Sequence, residues 1–170
     1  MRKTLTIRLA RAGVVAGLYV VLSLLVLPVA SGALQFRISE ALCILPLLYL
    51  EAAPALMAGC LISNLISGCA LYDVIFGSLV TLVAALLTYG AGRLIKNTAL
   101  RIFTGGLFPV LLNAFLLPVI WYFCYGELEY LYILQVAFLI ISQGAAVYLL
   151  GTAAYLPLSK MKDKGVAFLQ

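Results

Sequence analysis

Charged side chains divide this chain into six uncharged, mostly apolar runs, at 12–36, 41–50, 52–72, 74–92, 102–126 and 130–159. A helix that crosses the hydrocarbon core of a bilayer needs about 20 apolar residues, with a range of ~17–25. Five runs reach that length unaided, and 41–50 does not. Ten of the eleven cations fall in three segments: Arg2, Lys3, Arg8 and Arg11; Arg93, Lys96 and Arg101; Lys160, Lys162 and Lys164. Basic residues collect on the cytoplasmic side of a membrane protein, so the three segments share that side. An even number of crossings must then separate 1–11 from 93–101, which holds only if 41–50, extended by its flanks, also crosses. The pattern predicts an all-α integral membrane protein of six transmembrane helices in a single domain, 1–170. Both termini are expected to be cytoplasmic, with outer turns near 31–38, 68–72 and 125–129. A cleaved signal peptide at Ala30-Ser31-Gly32-Ala33 is disfavoured. The run before it exceeds the ~7–15 residues of such a segment, and cleavage would break the parity.

Composition agrees with this pattern. Hydrophobic residues make up 65% of the chain and charged residues 10%, with a mean hydropathy of +1.17, far from the ~25% charge of soluble domains. Eleven Lys and Arg give a net charge of +5, too few for a nucleic-acid groove. Histidine is absent, which removes the commonest general base and metal ligand. Neither G-x-x-x-x-G-K-[ST], G-x-S-x-G nor H-E-x-x-H occurs, so no phosphate-binding loop, hydrolase or zinc signature is present. The reading assigns no catalytic residue, metal or cofactor, and ATP hydrolysis would need another subunit. The four cysteines lack C-x-x-C spacing and suit apolar packing, although Cys69 and Cys124 both approach the outer face, within reach of a bridge.

Polar residues inside the runs mark candidate chemistry. With Glu51 at the inner boundary, Glu40 lies about 16 Å higher at ~1.5 Å per residue, inside the hydrocarbon. An ionised group there costs roughly 2.5–3.5 kcal/mol on insertion scales, so it faces a cavity or a partner. The two readings of Glu40 are an ion pair with Arg37, one turn away after Ser39, and a ligand-facing carboxylate in a water-filled outer pocket, which is favoured. Asn64, Asp73, Asn113 and Gln143 come from four further helices, with Gln135 two turns above Gln143. Each amide alone suits a helix–helix contact, and Asp73 equally suits an N-cap. Together they resemble the few placed polar groups of a ligand pocket. Trp121, with Tyr122, Phe123, Tyr125, Tyr130 and Tyr132, reads first as an interfacial aromatic belt and second as a stacking wall for a planar ring. Glu127 and Glu129 read as solvated loop charges. Ala12, Gly13, Ala16 and Gly17 give the first helix a small-residue stripe, for internal packing or for docking.

The stretch Gln35-Phe36-Arg37-Ile38-Ser39-Glu40-Ala41-Leu42 with Leu45-Pro46, then Gly59-Cys60-Leu61-Ile62-Ser63-Asn64-Leu65, then Asp73-Val74-Ile75-Phe76-Gly77-Ser78-Leu79, resembles the QueT family. Its members are substrate-binding S components of energy-coupling factor (ECF) transporters. The resemblance implies capture of a queuosine precursor, a 7-deazaguanine base, at the outer face of a bacterial plasma membrane. It also implies assembly with a membrane coupling (T) subunit and two cytoplasmic ATPase subunits. S components of this kind often dock through an Ala-x-x-x-Ala motif on helix one, which Ala12 and Ala16 fit, with Gly13 and Gly17 beside them. A guanine-type edge offers adjacent N1–H and N2–H donors that one carboxylate can accept together, a role that Glu40 suits. The expected substrate-binding residues are Arg37, Ser39, Glu40, Asn64, Asp73, Asn113, Trp121 and Gln143. The competing expectation is a standalone secondary transporter for a small planar polar solute, coupled to protons through Glu40 or Asp73.

Overall fold

The computed structural model describes residues 2–27, 37–128 and 130–165, with side chains from Leu5 onward. The outer turn expected near 31–38 lies outside the described residues up to position 36, as do Glu129 and the Ala30-Ser31-Gly32-Ala33 stretch. The described chain is helical throughout, and no strand occurs in it. Six rods follow one another: α1 (Arg2–Leu25), α2 (Ile38–Leu47), α3 (Ala52–Ile66), α4 (Leu71–Leu94), α5 (Thr98–Tyr125) and α6 (Tyr132–Asp163). Four of them, α1, α4, α5 and α6, are long and apolar enough to cross a membrane.

The short crossing that parity demanded is α2, and it is wound as a 3-10 helix. Ten residues rise about 20 Å at ~2.0 Å each, against about 15 Å in an α-helix. Tighter winding thus gives a short segment extra reach. Three residues per turn also stack α2 side chains in three rows. Ser39 meets Ser23 of α1, whose hydroxyl donates to it at 2.8 Å. Glu40 stands over Cys43, whose thiol donates to Glu40 Oε2 at 3.2 Å. Ala41, Ile44 and Leu47 lie against glycines. A Cβ on Gly151 would stand 2.7 Å from the Ala41 carbonyl oxygen, one on Gly92 2.7 Å from that of Leu47, and one on Gly105 2.6 Å from Leu47 Cδ2. Ser39 through Leu47 are all buried, so α2 is the centre of the bundle.

The surrounding helices bend to fit. In α6 the segment Ala145–Gly151 is π-helical, and it lies where α2 packs. Pro109 within α5 removes the N–H that would satisfy the Gly105 carbonyl. Thr88 of α4 supplies a replacement, its hydroxyl donating to that oxygen at 2.8 Å. Gly126, at φ 80°, ends α5 in the left-handed conformation that glycine adopts without strain.

The two ends of the bundle differ. At one end Arg11 pairs with Glu51, Lys162 donates to the Leu48 carbonyl, and the Tyr49 ring lies between Arg11 at 5.0 Å and Lys162 at 5.9 Å. This clasp joins α1, the α2–α3 turn and the end of α6 at the basic pole. The positive-inside rule assigns that pole to the cytoplasm. The opposite pole holds a cavity.

Two measurements test this arrangement. In a chain whose native cysteines are replaced, Glu127→Cys should react with an impermeant maleimide on intact cells, and Lys96→Cys only after permeabilisation. Gly92→Ala forces a methyl against the α2 backbone and should cost about 1–3 kcal/mol in thermal unfolding of the solubilised protein. Gly90→Ala, whose Cβ would meet nothing within 4 Å, should be neutral or mildly stabilising.

Candidate functional site

The site has an open upper layer and a sealed lower one. The upper layer is a cavity of about 410 Å³ at the non-basic pole, its wall including Ser23, Arg37, Asn64, Asp73, Trp121 and Gln135. The volume lies within the ~300–1,000 Å³ of small-molecule sites. Asp73 sits in the first turn of α4, three residues after the capping position, Ala70. It is therefore not the N-cap that the sequence allowed. Its Oδ1 accepts the Trp121 indole N–H at 3.2 Å, which fixes the ring on the cavity wall. Tyr125 also lines the cavity, and its hydroxyl accepts the Ala70 N–H at 3.3 Å. Tyr122 and Phe123 are exposed on the bundle surface. The aromatic cluster thus divides: Trp121 and Tyr125 line the cavity, and Tyr122 and Phe123 face outward.

Beneath the cavity lies a hydrogen-bonded floor. Glu40 Oε1 accepts from the Tyr19 hydroxyl at 2.8 Å, and Oε2 accepts from Asn113 Nδ2 at 3.2 Å and from Cys43. Asn113 Nδ2 also donates to Gln143 Oε1 at 3.0 Å. Four helices thereby meet through α1 Tyr19, α2 Glu40, α5 Asn113 and α6 Gln143. Glu40 is 2% exposed and stands below the cavity wall, not on it. No ion pair between Arg37 and Glu40 is formed among the described residues, where the one salt bridge is Arg11–Glu51. The floor separates two apolar clusters. One, around α2, includes Val15, Leu56, Val110 and Val147. The other, toward the cavity, is Ala114, Leu117, Trp121, Val136 and Leu139.

The predicted residues therefore sort by depth. Arg37, Asn64, Asp73 and Trp121 reach the cavity, while Ser39, Glu40, Asn113 and Gln143 lie beneath it. The structure adds Tyr19 and Ser23, and it sets Gln135 on the cavity wall. For the first two a signal existed: Arg11, Val15, Tyr19 and Ser23 recur every fourth residue, the spacing of an inward helix face. The first-helix stripe also divides. Ala12 and Ala16 pack against the core, whereas Gly13 and Gly17 are exposed, and a Cβ on either would meet nothing within 4 Å. Cys69, in the turn before α4, is a free thiol, as is Cys124. Burial and the neighbouring Asp73 carboxylate push the Cys69 thiol above its ordinary range, against the pull of Arg37.

The family model described as QueT transporter matches residues 9–160. Comparisons with curated proteins and with solved structures gave no match.

Glu40→Gln keeps the size of the side chain but turns an N–H toward groups that already donate. The mutant should lose about 1–3 kcal/mol of ligand-free stability, read as a lower thermal midpoint in detergent. An unchanged midpoint would show that the floor does not hold the four helices together.

Proposed function

We propose that this chain, which belongs to the QueT transporter family, is the membrane-embedded substrate-binding subunit of an ECF-type importer. Its substrate would be a queuosine precursor taken from outside the cell. The family is one of transporters, so a small-molecule substrate and a multi-pass membrane location come with membership. The finer reading draws its support from one observation: a cavity opposite the basic pole, walled by an indole, a carboxylate, amides and a guanidinium. A planar base with several N–H and C=O groups needs such a wall, namely an aromatic face and hydrogen-bonding groups of both kinds. In this reading Arg37, Asn64, Asp73 and Trp121 contact the base. Ser39, Glu40, Asn113 and Gln143 hold the helices that carry them.

The coupling subunit would dock on α1. Only 17% of the most apolar stretch of that helix is buried inside the bundle, against 39–50% in α4, α5 and α6. Its uncovered face carries Gly13, Val14, Gly17, Leu18 and Val21. Small residues there let a partner helix approach closely. Work for transport would come from two ATPase subunits, since the sequence has no phosphate-binding loop.

Purification in mild detergent followed by mass spectrometry of the released small molecules should find a 7-deazaguanine. A different solute, or uptake by the chain alone in proteoliposomes driven by an ion gradient, would favour the secondary-transporter reading. Gly13→Leu with Gly17→Leu should leave binding of the base intact and reduce recovery of a tagged coupling subunit. Ala12→Leu with Ala16→Leu should instead lower the thermal stability of the isolated chain. Loss of base binding in the glycine pair would place that face inside the binding unit.

A further inference from the structure

Of the deeply buried polar side chains on the cavity wall, Gln135 alone makes no hydrogen bond within the described residues. It is 2% exposed, and its Oε1 is sealed from solvent with no donor facing it. The others are engaged. Ser63 donates to the Cys60 carbonyl, Asn64 to the Cys60 sulfur, and Asp73 accepts from Trp121. An unsatisfied buried amide costs about 1–3 kcal/mol, whereas an apolar side chain of the same shape would be near neutral there. The surroundings suit the apolar choice, because Val136 is the next residue and Leu139 lies one turn on, both in an apolar cluster with Leu117 and Trp121. Position 135 thus holds an amide whose oxygen meets no donor among the described residues.

Its chemistry indicates what would satisfy it. A carboxamide presents one acceptor and two donors in a single plane. The last torsion of glutamine is broad and two-fold, so rotation about it can bring either end to the cavity. The complement of a carboxamide is a lactam edge, an N–H beside a C=O, which closes two hydrogen bonds at once. Trp121 stands on the same wall with its indole held by Asp73, which gives a heterocycle bearing that edge a face to lie on. We infer that Gln135 is a specificity-determining residue that pairs through its amide with the lactam edge of a planar ligand. This rests on the reading above that the ligand is a base.

The test compares wild type with Gln135→Leu and Gln135→Met in nanodiscs, with two probes: 7-cyano-7-deazaguanine and its 6-O-methyl analogue, which lacks the lactam N–H. Wild type should bind the lactam at least about tenfold more tightly, a difference of ~1.4 kcal/mol. In both variants affinity for the lactam should fall about tenfold and the ratio between probes should approach one. Their ligand-free thermal midpoints should equal or exceed that of wild type. A retained ratio, or a fall in the ligand-free midpoint of both variants, would overturn the assignment and make Gln135 a packing residue. If wild type binds neither probe, the deazaguanine reading fails. Gln135 as a lactam reader would then be overturned only by a fall in the ligand-free midpoint, and supported by a rise.

Discussion

A segment with only ten uncharged residues has to span most of a bilayer, and the rest of the bundle accommodates that requirement. Winding α2 as a 3-10 helix gives it about 20 Å of reach but leaves it narrow and ridged, with three side-chain rows. The neighbours then need smooth surfaces, and Gly92, Gly105 and Gly151 provide them at distances where no methyl fits. Long 3-10 runs are uncommon because their hydrogen bonds are poorer. Here complete enclosure compensates: no residue from Ser39 to Leu47 is left to lipid or water. The π-helical turn in α6 and the proline-relieved carbonyl of α5 lie around this element.

Enclosing α2 also carries a carboxylate to mid-depth. In hydrocarbon an unpaired charge is costly, and the structure meets this with three donors on two oxygens. The floor is therefore satisfied, while the wall above it is not. Burial alone does not distinguish the two layers, since Glu40 and Gln135 are equally hidden at 2%. What differs is whether the protein itself supplies the partner. Where it does, the residues tie helices together. Where it does not, the remaining hydrogen-bonding capacity is available to a solute.

The six helices were legible in the sequence because apolar run length depends on composition, which needs no tertiary contacts. The parity argument even demanded a crossing from the run 41–50, although nothing in that run announced its 3-10 winding. Arg37, Asn64, Asp73 and Trp121 were legible as cavity residues because polar groups at membrane depth are rare. Which polar groups would spend themselves on one another was not legible. Glu40 looked ligand-facing because its three donors come from residues 3, 21 and 73 positions away. Tyr19, which supplies one of those donors, stands among apolar residues of the first helix. Similarly, Ala12 and Gly13 differ by about 100° around α1, and only the position of α3 decides which of them is covered.

The same layering bears on how a solute could pass. Between the cavity and the basic pole lie the hydrogen-bonded floor, the larger apolar cluster, and a clasp of Arg11, Glu51, Tyr49 and Lys162. A shift of α2 alone would drive its carbonyls into the backbones of α4 and α6 at Gly92 and Gly151. A solute held on the wall would therefore leave toward the cytoplasm only if helices move as bodies, and that work has to enter somewhere. α1 is the least covered of the long helices, and its inner face carries Tyr19, two residues beyond Gly17, into the floor. A partner seated on the outer face of α1 would thus bear on the helix whose hydroxyl holds Glu40. An ion-driven carrier would instead need a titrating group exposed to each side in turn: Glu40 lies beneath the outer cavity with both carboxylate oxygens occupied, whereas Asp73 stands on the cavity wall.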